Sequence, residues 1–365
     1  MTEGQTRRWP VAVEVVVGLA IAAAILGTAE GALRIAGFSR MMIGPVVSNF
    51  PGVNRPHPLW FWEPRPGDDL PDCAGERINS AGYRGPLRSE EKAPGSKRVV
   101  TLGDSSTFGV RVCQDETYPA RLERELGGPE VLNFGVIGFT AFQGAQLLEG
   151  RVLAYHPDVV VLAFGAFNEA RPAVTMDVDT RYAVTSQLNA IVVRWRDRLR
   201  DLRLLQLVQT TLASPVDPAE IERVKQAVDD VAKHQRADFV PNQTAESFER
   251  SLQQMVERSR AAGAEVVLVS PPRNASNEAS WPVFDKYDRA IRRVSEDMGV
   301  PLVDVRSAFR AVPDGDKTLL LDGVHPSPAG HRYYAQLLAA KIRPLLGAAA
   351  PARRPEPADD AQKTL

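Results

Sequence analysis

Residues 98–109 read RVVTLGDSSTFG, a β-branched apolar run that breaks abruptly into glycine, aspartate and serine. The run at 98–102 suits a strand buried on both faces. Four more share its character: VLNFGV at 131–136, DVVVLAF at 158–164, EVVLV at 265–269 and PLVDV at 301–305. Between them lie amphipathic helical patterns at 118–126, 142–154, 245–262 and 284–298, the last two stopped by Gly263 and Gly299. Strands alternating with helices predict a parallel sheet with right-handed crossovers. The fold class is therefore α/β, a three-layer α/β/α sandwich around a central parallel five-stranded sheet.

The break after the first strand is where chemistry is expected. Gly103-Asp104-Ser105 places a hydroxyl at the carboxyl end of a parallel sheet, the edge at which such folds bind ligands. Glycine allows the bend, and the turn that follows can present backbone N–H groups to an anion. A plain strand-to-helix loop capped by Asp104 or Ser105 would show the same three residues. A second segment, LLDGVHPSPAGH at 320–331, holds Asp322 three residues before His325, so one local turn can bring carboxylate and imidazole together. A serine hydroxyl is a poor nucleophile until a base takes its proton, and that base needs a fixed tautomer. Ser105, His325 and Asp322 supply those three roles, whereas His331 is assigned to packing in the following helix.

Acyl transfer also needs donors for an oxyanion. NFGVIGFT at 133–140 offers the Gly138 N–H, GAFNE at 165–169 offers the Asn168 side-chain amide, and the Ser105 N–H makes a third. Taken singly, Gly138 also reads as a turn glycine and Asn168 as a helix cap.

In this order and spacing, the four blocks resemble the SGNH hydrolase superfamily, the GDSL esterases and lipases. The resemblance spans roughly residues 79–346, and INSAGYRGP at 78–86 is similar to the lead-in of a membrane-anchored bacterial branch. It implies a serine hydrolase of carboxylic esters, without metal or organic cofactor, working through an acyl-serine intermediate. The implied partner is a small-molecule, lipid or glycan ester. Two rivals share the residues: an O-acetyltransferase acting on a surface polysaccharide, and an inactive anchored binding protein. One departure stands out. The usual Gly-x-Asn-Asp of the asparagine block is here Gly165-Ala166-Phe167-Asn168-Glu169, which puts the aim of Asn168 in question.

Composition closes off other classes. In 365 residues, 44 Lys plus Arg meet 45 Asp plus Glu for a net charge of −1, without the basic excess of a nucleic-acid binder. The two cysteines, Cys73 and Cys113, make no CxxC pair, and the five histidines make no HExxH.

The amino-terminal run VAVEVVVGLAIAAAILGT at 11–28 would extend about 27 Å as a helix. It reads as an uncleaved membrane anchor, the alternative being a signal peptide. With the amino terminus inside, the body lies outside the cytoplasm, where Cys73 and Cys113 either form a disulfide or remain two buried thiols. Residues 1–38 are thus tail and anchor, 39–95 an irregular lead-in, and 96–346 the hydrolase domain with an insertion at about 170–243. Residues 347–365 form a Pro/Ala-rich disordered tail. Within the insertion, RWRDRLRDLR at 194–203 reads as a solvated helix or as a basic face for anionic lipid. The sequence identifies no protein partner.

Overall fold

The computed structural model of the chain describes residues 10–36, 54–57, 59–70, 72–165, 167–171, 202–204, 207–208 and 240–347. Contacts divide the chain into two units, Met1–Val47 with Leu188–Ile221, and Ser48–Gln187 with Glu222–Leu365. In the first unit the main described element is helix α1 (Val11–Ile35). Within its span Val13–Ile35 the most apolar 18-residue window has a mean hydropathy of 1.9, and none of that window is buried. Glu30 and Arg34, one turn apart, pair on its surface at 2.7 Å. The basic segment 194–203 and the tail lie almost wholly outside the described residues.

In the second unit, the five apolar runs form five parallel strands: β3 (Arg98–Gly103), β4 (Glu130–Gly135), β5 (Val159–Ala163), β6 (Glu265–Ser270) and β7 (Leu302–Asp304). Their order across the sheet is β4-β3-β5-β6-β7. The chain goes from β3 to one neighbour and then crosses to the other, so a switch point opens at the carboxyl ends of β3 and β5, the crevice where open α/β sheets bind ligands. β3 and β5 are buried along their whole length, which is why both read as unbroken apolar runs rather than alternating ones.

Alternate residues serve opposite layers. Val99, Val131, Val161, Val267 and Val269 join Tyr118, Leu122, Tyr334 and Leu338 in one core cluster, which seats α3 (Tyr118–Leu126) and the carboxyl-terminal helix Pro328–Ile342 on one face. On the other face lie α4 (Ala141–Gly150), the helix Ala245–Ala261 and the helix Phe284–Met298. Among the described residues, burial of some sixty apolar side chains at about 25 cal/mol per Å² is the main force holding the sandwich together. His331 belongs to this packing. It is fully buried, its Nδ1 accepts the Tyr118 N–H at 3.1 Å, and burial together with Arg84 and Arg121 holds its pKa down to about 3.

The structure departs from the sequence expectation at two places. The pattern at 142–154 is not one helix. α4 ends at Gly150, where a Cβ would stand 2.8 Å from the Trp60 ring, and a 3-10 turn, Val152–Tyr155, follows. The lead-in is also more ordered than irregular. It contains an antiparallel hairpin, β1 (Asn54–His57) with β2 (Phe61–Pro64), followed by a loop whose Ile78 and Tyr83 are buried. Tyr83 packs on Phe134 and Tyr155, and Cys73 is bonded to Cys113. Apolar side chains without helical or strand periodicity left no sign of this in the sequence, because they are buried by partners far along the chain.

Candidate active site

β3 feeds directly into the four-residue helix α2 (Ser105–Phe108), capped by Asp104, whose carboxylate accepts the Ser106 N–H at 2.9 Å. Two glycines let this short helix press onto the sheet. A Cβ on Gly103 would stand 2.2 Å from Thr107 Oγ1, and one on Gly135 equally close to the Phe108 backbone nitrogen. The capping role of Asp104 and the presentation of Ser105 are therefore one piece of geometry. Burial raises the Asp104 carboxyl, against the pull of the Ser106 N–H and of His325.

Ser105 Oγ lies 2.9 Å from His325 Nε2, and His325 Nδ1 lies 2.8 Å from Asp322 Oδ2. The other Asp322 oxygen accepts the N–H groups of Val324 and His325 at 3.0 and 2.9 Å. Although burial pushes the Asp322 carboxyl up, these hydrogen bonds and the imidazole hold it well below the usual carboxylate range. An ionised Asp322 can only accept, so the proton between the pair sits on Nδ1 and leaves Nε2 to accept from Ser105. The loop that carries both residues is pinned at each end. The Leu321 N–H donates to His325 O at 2.8 Å, and Ser327 caps the helix Pro328–Ile342 through the Gly330 N–H. The Asn274 N–H holds the Gly323 carbonyl at 2.9 Å.

The remaining two blocks meet the serine turn from the neighbouring strands. Gly138 follows β4 in a turn closed by Phe139 N–H on Val136 O. Its φ of +79° is the left-handed value that a type II turn requires at its third residue. Asn168 sits in a short helix, Phe167–Ala170, after β5. Its amide nitrogen donates to Phe139 O at 3.0 Å and lies 3.5 Å from Asp104 Oδ2. The asparagine is thus tied to both other blocks, despite the unusual sequence around it; Ala166 lies outside the described residues. Glu169, where the resembling pattern has aspartate, is buried and accepts the Ala141 N–H at 2.9 Å. Burial, then the charge of Asp104, pushes its carboxyl up to about 8.

The family model for the GDSL-like Lipase/Acylhydrolase family matches residues 101–246 and 238–333. The chain belongs to that family. It is similar to the acetylxylan esterase of Xylanibacter ruminicola, with 25% identity over 260 residues. That match covers 67% of this chain but only 43% of the relative. Among solved structures, the lipase/acylhydrolase from Enterococcus faecalis matches at a TM-score of 0.44 and 19% identity, covering 68% of this chain and 96% of that one. An acetyl-xylooligosaccharide esterase from Geobacillus matches at 0.43 and 20%, covering 71% and 99%.

Several residues around the site escaped the sequence reading. Arg111, held at a φ of +67°, reaches Asp322 Oδ2 at 3.3 Å. Arg84 is buried and donates to the Phe108 and Val112 carbonyls at 3.0 and 2.7 Å, closing the carboxyl end of α2; burial lowers its pKa. Gln243, where the chain returns from the insertion, accepts the Phe142 N–H at 3.2 Å. Arg84 stands inside INSAGYRGP, a stretch already singled out, but nothing local marks its side chain as a strut for the serine helix.

Proposed function

We propose that this GDSL-family enzyme hydrolyses carboxylic esters through an acyl-serine intermediate, with Ser105 as nucleophile, His325 as general base and Asp322 as its orienting carboxylate. The observation that carries the reading is the continuous relay of 2.9 and 2.8 Å from Ser105 Oγ through His325 to Asp322. His325 Nε2 takes the serine proton as Oγ attacks the ester carbonyl carbon. The carbonyl π pair moves onto oxygen, where the N–H groups of Ser105 and Gly138 and the Asn168 amide receive it. Collapse of the tetrahedral species breaks the bond to the alcohol, which leaves with the proton from Nε2. Water then repeats the sequence on the acyl-serine, yielding the free acid and restoring the hydroxyl.

Among esters, acetyl esters of a glycan are the substrates we favour, since a curated relative that the chain resembles is an acetylxylan esterase. We further propose that α1 anchors the chain in a membrane with the hydrolase body outside the cytoplasm. Support comes from the exposure of its apolar side chains and from the Cys73–Cys113 disulfide, a bond typical of oxidising compartments.

The test is hydrolysis of p-nitrophenyl esters from acetate to palmitate by the full chain in detergent, beside Ser105→Ala. Acetate preference with activity abolished in the variant is expected. Undiminished hydrolysis by Ser105→Ala would overturn the mechanism, and a preference for long chains would move the substrate from glycan acetates to lipid esters.

A further inference from the structure

The hairpin β1–β2 lies upstream of the residues matched by the family model, and the mechanism above uses none of it. Its second strand opens on a backbone irregularity. Phe61 has a φ of +68°, and the Trp62 N–H closes a three-residue turn onto Trp60 O at 2.8 Å. A γ-turn of this hand is rare and strained, and it persists only where surrounding contacts over-determine it.

What the turn delivers is the Trp62 indole. Trp62 is 5% exposed, and its Nε1–H donates to the Ile137 carbonyl at 2.9 Å. Its Cζ2 lies 3.4 Å from where a Cβ on Gly138 would stand, and its ring meets Phe139 edge-on at 5.7 Å. One side chain from the lead-in therefore touches three consecutive residues of the glycine block.

The hydrogen bond falls on the peptide that matters. In a trans peptide the C=O and N–H point in opposite directions, so anchoring the Ile137 carbonyl fixes where the Gly138 N–H points. This is also the central peptide of the 136–139 turn. Type I and type II turns differ by a flip of that peptide, and glycine at the third position tolerates both. The turn sequence alone leaves the direction of the N–H open, and an outside donor chooses it.

We propose that Trp62 is a positioning residue for ester hydrolysis, its indole N–H locking the Ile137–Gly138 peptide so that the Gly138 N–H faces the substrate oxyanion. The inference rests on the reading of Gly138 as an oxyanion donor. Trp60 supplies a matched control, since it is as buried as Trp62 but its Nε1 has no hydrogen-bond partner among the described residues.

The experiment compares Trp62→Phe with Trp60→Phe in the full chain, measuring kcat, KM, the melting temperature and inhibition by phenylboronic acid, whose tetrahedral serine adduct mimics the oxyanion. Loss or misdirection of one oxyanion donor predicts a fall in kcat of up to about 100- to 1000-fold for Trp62→Phe with KM nearly unchanged, and boronate binding weakened in parallel. Trp60→Phe should lose thermal stability without that kcat defect. Trp62→benzothienylalanine, which keeps the bicyclic ring and removes only the N–H, gives the same readout should the phenylalanine variant fail to fold. Equal kcat in the two Phe variants, or a benzothienyl variant with unaltered kcat, overturns the proposal. Ser105→Ala runs alongside: if it is inactive while Trp62 variants are normal, only the Trp62 inference falls, and if it is active the proposed mechanism falls first.

Discussion

Replacing Asp322 with asparagine tests the relay at its most exposed link. Asp322→Asn keeps an oxygen for the Val324 and His325 N–H groups, now 3.0 and 2.9 Å from Oδ1, so the loop should survive. The atom facing His325 Nδ1, however, becomes an amide nitrogen that can only donate, and the imidazole loses both its tautomer and the charge that stabilises its protonated form. A unit charge pair about 4 Å apart at a protein surface is worth about 4 kcal/mol. The Asp322 side chain is 37% exposed, and solvent screening brings the figure to about 2–4 kcal/mol. At about 1.4 kcal/mol per decade, this predicts a loss of about 30- to 1000-fold in kcat. The assay is p-nitrophenyl acetate turnover at pH 7.5, with melting curves to show that the variant is folded. A folded Asp322→Asn enzyme within threefold of wild type would refute the assignment of Asp322. The melting curves carry a second check. The folded Asp322 carboxyl lies below its ordinary value, so any stability it contributes is complete above about pH 4 and is lost as pH falls through the folded value. The wild-type advantage in melting temperature should therefore shrink in strong acid.

Glu169 behaves in the opposite sense: with its carboxyl raised to about 8, the folded state favours the neutral acid, and its contribution is lost as pH rises from the ordinary carboxylate range through 8. Glu169→Gln should melt close to wild type at pH 5 and several degrees above it at pH 8.5; the reverse order by calorimetry would contradict the burial argument. The Cys73–Cys113 bond spans a sequence separation of 40, for which loop-closure entropy predicts about 4 kcal/mol, so Cys73→Ser with Cys113→Ser should lower the urea midpoint well beyond error. Arg111→Ala removes a half-exposed partner of Asp322 at 3.3 Å, and exposed pairs contribute about 0–1 kcal/mol; kcat/KM within about fivefold of wild type is expected, and a hundredfold loss would give Arg111 a direct role.

The alternation of strands and helices was legible because each central strand is buried on both faces, which forces a continuous β-branched run such as that of β5. The serine and the Asp-His pair were legible because each lies in a compact local motif, and a parallel sheet delivers strand ends to a common edge. The asparagine was harder, since its amide is aimed by Phe139 O, an acceptor supplied by another strand's loop. Trp62 and Arg84 could not be read at all. An indole N–H on a carbonyl 75 positions away and a guanidinium on one 24 positions away leave no local pattern, since any buried tryptophan or arginine would look the same in the sequence.

What the order of amino acids carried was everything set by short-range physics: strand and helix periodicity, the glycine bend before Ser105, and the Asp322-to-His325 spacing. What required the folded chain was everything set by encounter between distant segments. The order of strands, the joining of Cys73 to Cys113, the seating of the lead-in hairpin on the glycine-block turn and α4, and the direction of the Gly138 peptide all depend on which surfaces meet. Burial and hydrogen-bond satisfaction select among those meetings only once the whole core has closed.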